Sequence, residues 1–261
     1  MKNLNLLGGG GRLRENKISY FSKFPRFNKN KAFTLAETLI TLAVIGVVAT
    51  LTIPTLQQKY TEHITVSRVK KFYSTISNAY AQAVNEHGPV DTWETPMTKS
   101  GTLNLVETLI KPYFKISKDC GFSNEQNCIP EITYQLNGTS QGKNYSQNVY
   151  TNYYKLMLED GSSVWFRGND DDAFISIFLD INGTKKPNQR GKDFFGFHVI
   201  NNGSGYVLIP GGLPNSKNPF DKNCHSKSVG DGCTAWVIYK GNMEYLHCDD
   251  LKWNGKQKCS K

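Results

Sequence analysis

The chain has 261 residues and a formal net charge of +9, a length that suits one good-sized domain with accessories. The charge is not spread evenly. Residues 1 to 32 hold eight basic side chains and one acid, which is +7 of the total, and the rest of the chain carries only +2. That distribution argues against a basic, phosphate-binding head and assigns the basicity to an N-terminal leader, so no nucleic-acid partner is expected.

The leader, residues 1 to 32, reads as unstructured. Its run Gly8 to Gly11 lacks the G-K-[ST] of a phosphate-binding loop and reads as flexible linker. Residues 31 to 54, KAFTLAETLITLAVIGVVATLTIP, follow it. Phe33 to Ile53 is almost wholly apolar, and as a helix it spans about 31 Å, one hydrocarbon core. The basic leader predicts that the N-terminus stays cytoplasmic and that everything beyond Pro54 is exported. A cleaved secretory signal is the alternative, but the run is long for a signal peptide and no A-x-A site closes it. Glu37 is the anomaly, because a carboxylate inside an apolar helix is costly unless something pairs with it.

These residues resemble the type IV pilin and type II secretion pseudopilin signature. The family pattern is a basic leader, a small residue, a cleavage, Phe-Thr-Leu, a Glu at the fifth mature position, a helix Gly and a closing Pro. Here they stand as Ala32, Phe33-Thr34-Leu35, Glu37, Gly46 and Pro54, with Ala32 where the family usually has Gly. The resemblance implies cleavage by prepilin peptidase between Ala32 and Phe33, and N-methylation on Phe33. It also implies assembly through the helix. In a filament Glu37 of one subunit would then pair with the Phe33 amine of the next, each charge cancelling the other's burial cost and fixing axial register. The alternative is that Glu37 snorkels to the interface.

After Pro54 an apolar stripe continues at spacings of three and four: Leu56, Tyr60, Ile64, Val69, Phe72, Tyr73, Ile76, Tyr80, Ala83 and Val84. It predicts an amphipathic helix that ends at Gly88-Pro89. With a bend near Gly46 to Pro54, residues 33 to 87 form a rod of about 80 Å. From Pro89 to about Ile129 loops and a short helix, Leu103 to Ile110, are expected. Strand-like runs then follow at Tyr153–Leu158, Ser163–Phe166, Phe174–Ile181, Phe194–Ile200 and Tyr206–Ile209. Turns such as Asp160-Gly161 and Asn182-Gly183 separate them. Their short spacing favours an antiparallel meander. Ala235 to Tyr239 reads as either strand or helical turn. The fold class is α+β, a long N-terminal helix packed on an antiparallel sheet. The organisation is a leader (1–32), a transmembrane and assembly helix (33–54), its amphipathic continuation (55–88) and an exported head (89–261).

Six cysteines, Cys120, Cys128, Cys224, Cys233, Cys248 and Cys259, all fall in the exported part, with no C-x-x-C. Disulfides are expected there. Pairing of nearest neighbours is simplest, and an exchange among the last four is the alternative. The five histidines show no metal spacing, and no G-x-S-x-G, H-E-x-x-H or paired-carboxylate signature is present, so no enzyme is indicated. One head segment has ligand-like content, Asp180 to Asp193. Asp180-x-Asn182 matches the first two ligands of a calcium loop, but Thr184, Lys185 and Gly191 depart from an EF-hand. Major pseudopilins bind calcium in a head loop, which by resemblance makes Asp180, Asn182 and Asp193 calcium candidates. The alternative is a hairpin with Asn-Gly at its tip.

The expected function is structural: a single-pass subunit of the bacterial inner membrane with its head in the periplasm. Prepilin peptidase would process it, and it would polymerise with like subunits into a pilus or a type II secretion pseudopilus. No cofactor is required, with calcium the one candidate. Two alternatives stand beside this, a minor pilin whose head binds DNA or a surface, and an exported enzyme or binding domain on a single-helix anchor.

Overall fold

A computed structural model describes residues 34–93, 98–148, 152–168 and 174–260. The chain divides into two compact units, one up to Leu51 and one from Thr52. The helix α1, Leu35–His87, begins in the first unit and continues in the second, with Pro54 inside it.

In the first unit, the large apolar residues Leu35, Leu39, Ile40, Leu42, Val44, Ile45, Val47, Val48 and Leu51 are all exposed. The hydroxyls among them turn back on their own helix. Thr38 donates to Leu35 O at 2.8 Å, Thr41 to Thr38 O at 2.9 Å and Thr50 to Val47 O at 2.8 Å. Each polar group is thereby satisfied without water, as a helix in hydrocarbon requires. Among the described residues α1 is the one helix long and apolar enough to cross a membrane.

The second unit builds the head on the rest of α1. Val66, Val69, Phe72, Ile76, Ala79 and Ala83 are buried, a stripe at helical spacing. Each of the larger ones contributes about 1.5–3 kcal/mol by leaving water. The stripe starts later than the sequence pattern suggests. Leu56 and Tyr60 share its spacing, but the head does not reach them, and they stay 70% and 66% exposed. The helix ends at His87, and Gly88 follows with φ +82°, the left-handed residue that commonly closes a helix.

The stripe packs on a six-stranded antiparallel sheet whose spatial order is its chain order. The strands are β1 (Ile116–Gly121), β2 (Tyr154–Leu158), β3 (Ser163–Gly168), β4 (Ile175–Asp180), β5 (Phe194–Asn201) and β6 (Tyr206–Pro210). The fold is α+β, as the patterning indicates. Alternation puts Leu156, Val164, Phe166, Ile177, Leu179 and Phe197 in the core shared with α1, where Phe72 meets Phe197 at 5.3 Å between ring centroids. The opposite face is buried as well. Trp165, Phe178 and Phe194 gather there with Tyr145 and Tyr153. Covering both faces explains why β4 is buried at all six positions.

Two elements differ from the sequence reading, and a third decides between its alternatives. β1 lies in the stretch read as loops. Its register shifts twice against β2 and it exposes Ser117, Lys118 and Asp119, features that suit a sheet edge. The short helix α2 is Lys99–Leu105, capped by Thr98, whose hydroxyl accepts from Gly101 N at 2.9 Å, and a π-helical turn Val106–Ile110 follows it. The Ala235 to Tyr239 run belongs to a helix, α4 (Cys233–Lys240), which follows the single turn α3 (Phe220–Asn223). Trp236 of α4 stacks on Phe220 of α3 at 4.0 Å.

Candidate functional sites: the helix start and the β4–β5 loop

The N-terminal signature is described from Thr34 onward, and Ala32 and Phe33 lie outside the described residues. Thr34 and Glu37 hold each other. Thr34 N–H donates to Glu37 Oε2 at 2.8 Å, and Glu37 N–H donates to Thr34 Oγ1 at 3.2 Å. This is a capping box, in which two of the helix's unpaired amides are satisfied reciprocally. Sequence reading for assembly passes over Thr34, although T-x-x-E before an apolar run carries the signal. Gly46 has nothing within 4 Å of the position a Cβ would take, so this chain's own packing does not require glycine there.

The second site is the loop from Ile181 to Asp193. The last cross-strand pair before it is Asp180 with Phe194, so Asn182-Gly183 starts a long loop and does not form the tip of a two-residue hairpin. Gly183 has φ +76°, and a Cβ there would lie 2.6 Å from Gly161 O of the β2–β3 turn, so glycine is required.

The loop folds two carboxylates inward. Asp180 is fully buried and Asp193 nearly so. Asp193 is well held. Its Oδ2 accepts from Asn188 N at 2.8 Å and from Asn182 Nδ2 at 3.1 Å, and its Oδ1 accepts from Gln189 N at 2.6 Å. Asp180 Oδ1 accepts from Asn182 N at 3.1 Å, but its Oδ2 is buried with no partner. The Oδ1 atoms of Asn182 and Asn188 are likewise buried and unpartnered. Burial, and then the charge of Asp193, push the Asp180 carboxyl well above the usual carboxylate range. Burial pushes Asp193 up as well, against the hydrogen bonds that lower it.

The carboxylates of Asp180 and Asp193 and the amide oxygens of Asn182 and Asn188, three of whose oxygens are unpartnered, form an oxygen-donor set that suits a hard cation. Among the described residues no group of three or more His, Cys, Asp or Glu gathers, so this set has only two carboxylates and its other oxygens come from amides. Asn188, absent from the sequence candidates, joins this set in a left-handed conformation at φ +52°. The basic residues of the loop do not crowd it. Lys185, Lys186 and Lys192 are exposed. Arg190 pairs with Asp231, donates to Gln141 Oε1 at 3.1 Å and lies over the Phe194 ring at 4.7 Å.

All six cysteines are bonded, each to its nearest neighbour in the chain: Cys120–Cys128, Cys224–Cys233 and Cys248–Cys259. The first pins the segment that covers the outer face of the sheet. The other two staple the region after β6.

The model of a family of unknown function, DUF6613, matches residues 55–230, about two thirds of the chain. The chain belongs to this family. A second model, the prokaryotic N-terminal methylation motif, matches residues 27–53 and makes this DUF6613 member type IV pilin-like. The motif is that of prepilin-peptidase substrates, a group normally structural and not enzymatic, and with the exposed apolar helix it fits membrane anchoring. No curated protein and no solved structure is similar enough to match the chain.

Proposed function

We propose that the chain is a structural subunit, cut between Ala32 and Phe33, methylated on Phe33 and polymerised into a pilus or a type II secretion pseudopilus. The observation that carries this is the methylation motif at residues 27–53, whose part from Leu35 onward lies on a helix with its large apolar side chains exposed among the described residues. Such a surface needs lipid before assembly and neighbouring helices after it. The transmembrane and assembly segment is then 33–54, with the N-terminus cytoplasmic and the head on the outer side of the inner membrane. Cleavage turns the Phe33 nitrogen into a cation. Glu37 then has two uses, closing its own helix through Thr34 and pairing with the Phe33 amine of the next subunit. Gly46, with open space around it, lets another helix approach closely, and Pro54 closes the segment. Mass spectrometry of the N-terminus from the protein's own cells tests this. The expected result is a chain beginning at methylated Phe33. An intact leader in the membrane fraction, or a start beyond Phe33, would refute it.

A second part of the proposal concerns the head. Asp180, Asn182 and Asp193, joined by Asn188, bind calcium. The unpartnered oxygens of Asp180, Asn182 and Asn188 favour this over a plain loop.

A further inference from the structure

We propose that the lower rim of the head, Lys59 and Tyr60 of α1 with the loop closed by Cys248–Cys259, seats on anionic phospholipid headgroups of the membrane that holds the helix. The inference rests on the membrane-held reading above. All of its residues belong to the unit that starts at Thr52.

The first observation is height. Ile53 ends the apolar run, and at a helical rise of 1.5 Å per residue Lys59 stands about 9 Å and Glu62 about 13 Å above it. The headgroup layer outside the hydrocarbon is about 5–8 Å thick. Lys59 and Tyr60 therefore stand at its outer margin, and Glu62 is within a further Debye length, about 8 Å.

The second observation fixes the C-terminal loop at this height. His247 Nε2 and Glu62 Oε1 are 2.9 Å apart. Cys248, the next residue, is bonded to Cys259, and Cys259 N–H donates to Glu244 Oε2 at 3.0 Å. Lys258 is thus held one residue from the staple and close to the helix at Glu62. This loop lies beyond the residues that the family model matches.

The third observation is charge. Lys59, Lys252 and Lys258 are exposed and have no carboxylate partner among the described residues. The loop also holds two acids, so together with Lys59 it carries a net +2. Asp250 pairs with Lys256 at 2.5 Å, and Asp249 accepts from Ser226 N at 2.7 Å and Ser226 Oγ at 2.5 Å. Tyr60 and Leu56, uncovered by the head, supply the amphipathic and apolar contacts that such an interface takes. Where the outer leaflet contains anionic lipid, phosphate oxygens give lysines at this height the partners the protein withholds.

The test uses the full chain reconstituted in vesicles of phosphatidylcholine alone and of phosphatidylcholine with about one third phosphatidylglycerol. Hydrogen exchange is read over residues 243–260. The expected result is exchange about fivefold slower per engaged lysine with the anionic lipid. That protection should be lost at about 1 M salt, where the Debye length is about 3 Å. It should also be lost in the conservative pair Lys59→Gln with Lys258→Gln. Equal exchange in the two compositions, while alkaline carbonate leaves the chain in both, overturns this proposal and spares the membrane reading. A chain that carbonate washes off both vesicles overturns the two together.

Discussion

Calcium should stabilise the head, and the size of the effect follows from the donor set. The β4–β5 loop offers two carboxylates, Asp180 and Asp193, and two amide oxygens, from Asn182 and Asn188. That is a modest charge, so the dissociation constant falls in the weak range, about 10⁻⁴–10⁻³ M. With free calcium at about ten times that constant, mass action adds about 1.4 kcal/mol. For a domain of this size the melting temperature rises by about 3–6 °C. The assay is a thermal melt of the detergent-solubilised chain in calcium and then in chelator. Magnesium, which demands six ligands at short, rigid distances, should give a smaller shift. The variant Asp180→Asn separates a bound cation from a merely buried acid. It removes an acid whose ionisation burial and Asp193 oppose, and with it the cost of burying that acid, so in chelator it should be more stable than wild type, by about 1–3 kcal/mol. It should also lose the calcium response. A wild-type melt indifferent to calcium, or a response that survives in Asp180→Asn, would refute the reasoning.

Three further outcomes are expected. Glu37→Gln keeps an oxygen for the Thr34 amide, so helix closure and insertion should persist while co-assembly with wild-type subunits fails. Normal entry into filaments would show that the cap is the whole role of Glu37. Lys155 is buried with its ammonium donating to Phe122 O, Asn148 Oδ1 and Tyr153 O, and burial lowers it to about 8. Between pH 8 and the ordinary lysine value of about 10.5 the unfolded chain takes up a proton that the folded chain does not, so this residue makes stability rise with pH there. Melts between pH 8 and 9.5, below the tyrosine range, should show that rise in wild type and not in Lys155→Met. Replacing both Cys224 and Cys233 by Ala opens a loop of sequence separation 9 and should cost about 2.5 kcal/mol, read as a lower denaturation midpoint.

The strands β2 to β6 are legible in the sequence because each is a run of aromatic and β-branched residues bounded by turn residues. β1 is not, because Ile-Ser-Lys-Asp-Cys-Gly carries an edge strand's polar pattern, and only pairing with β2 makes it a strand. α4 is ambiguous for the opposite reason. Trp236, Val237, Ile238 and Tyr239 favour strands, and packing of Trp236 on Phe220 overrides that preference. Leu56 and Tyr60 continue the apolar stripe in sequence, but periodicity cannot say where the head stops. In the loop, Asp180 and Asn182 stand out by spacing. Asn188 enters only through the path of the chain, which brings its backbone amide onto Asp193.

The sheet is laid down in chain order, every strand beside its predecessor. If the head is exported as proposed, this matters kinetically. Each of β3 to β6 can pair with a strand that has already emerged, across a connection of at most the Ile181–Asp193 loop, so little chain entropy is lost per step. On that reading the sheet can grow while its C-terminal end is still in transit. On the same reading the two C-terminal disulfides would close last, since their cysteines would be the last of the six to cross. Export, as proposed, would then order the folding of the head, with oxidation as its final step.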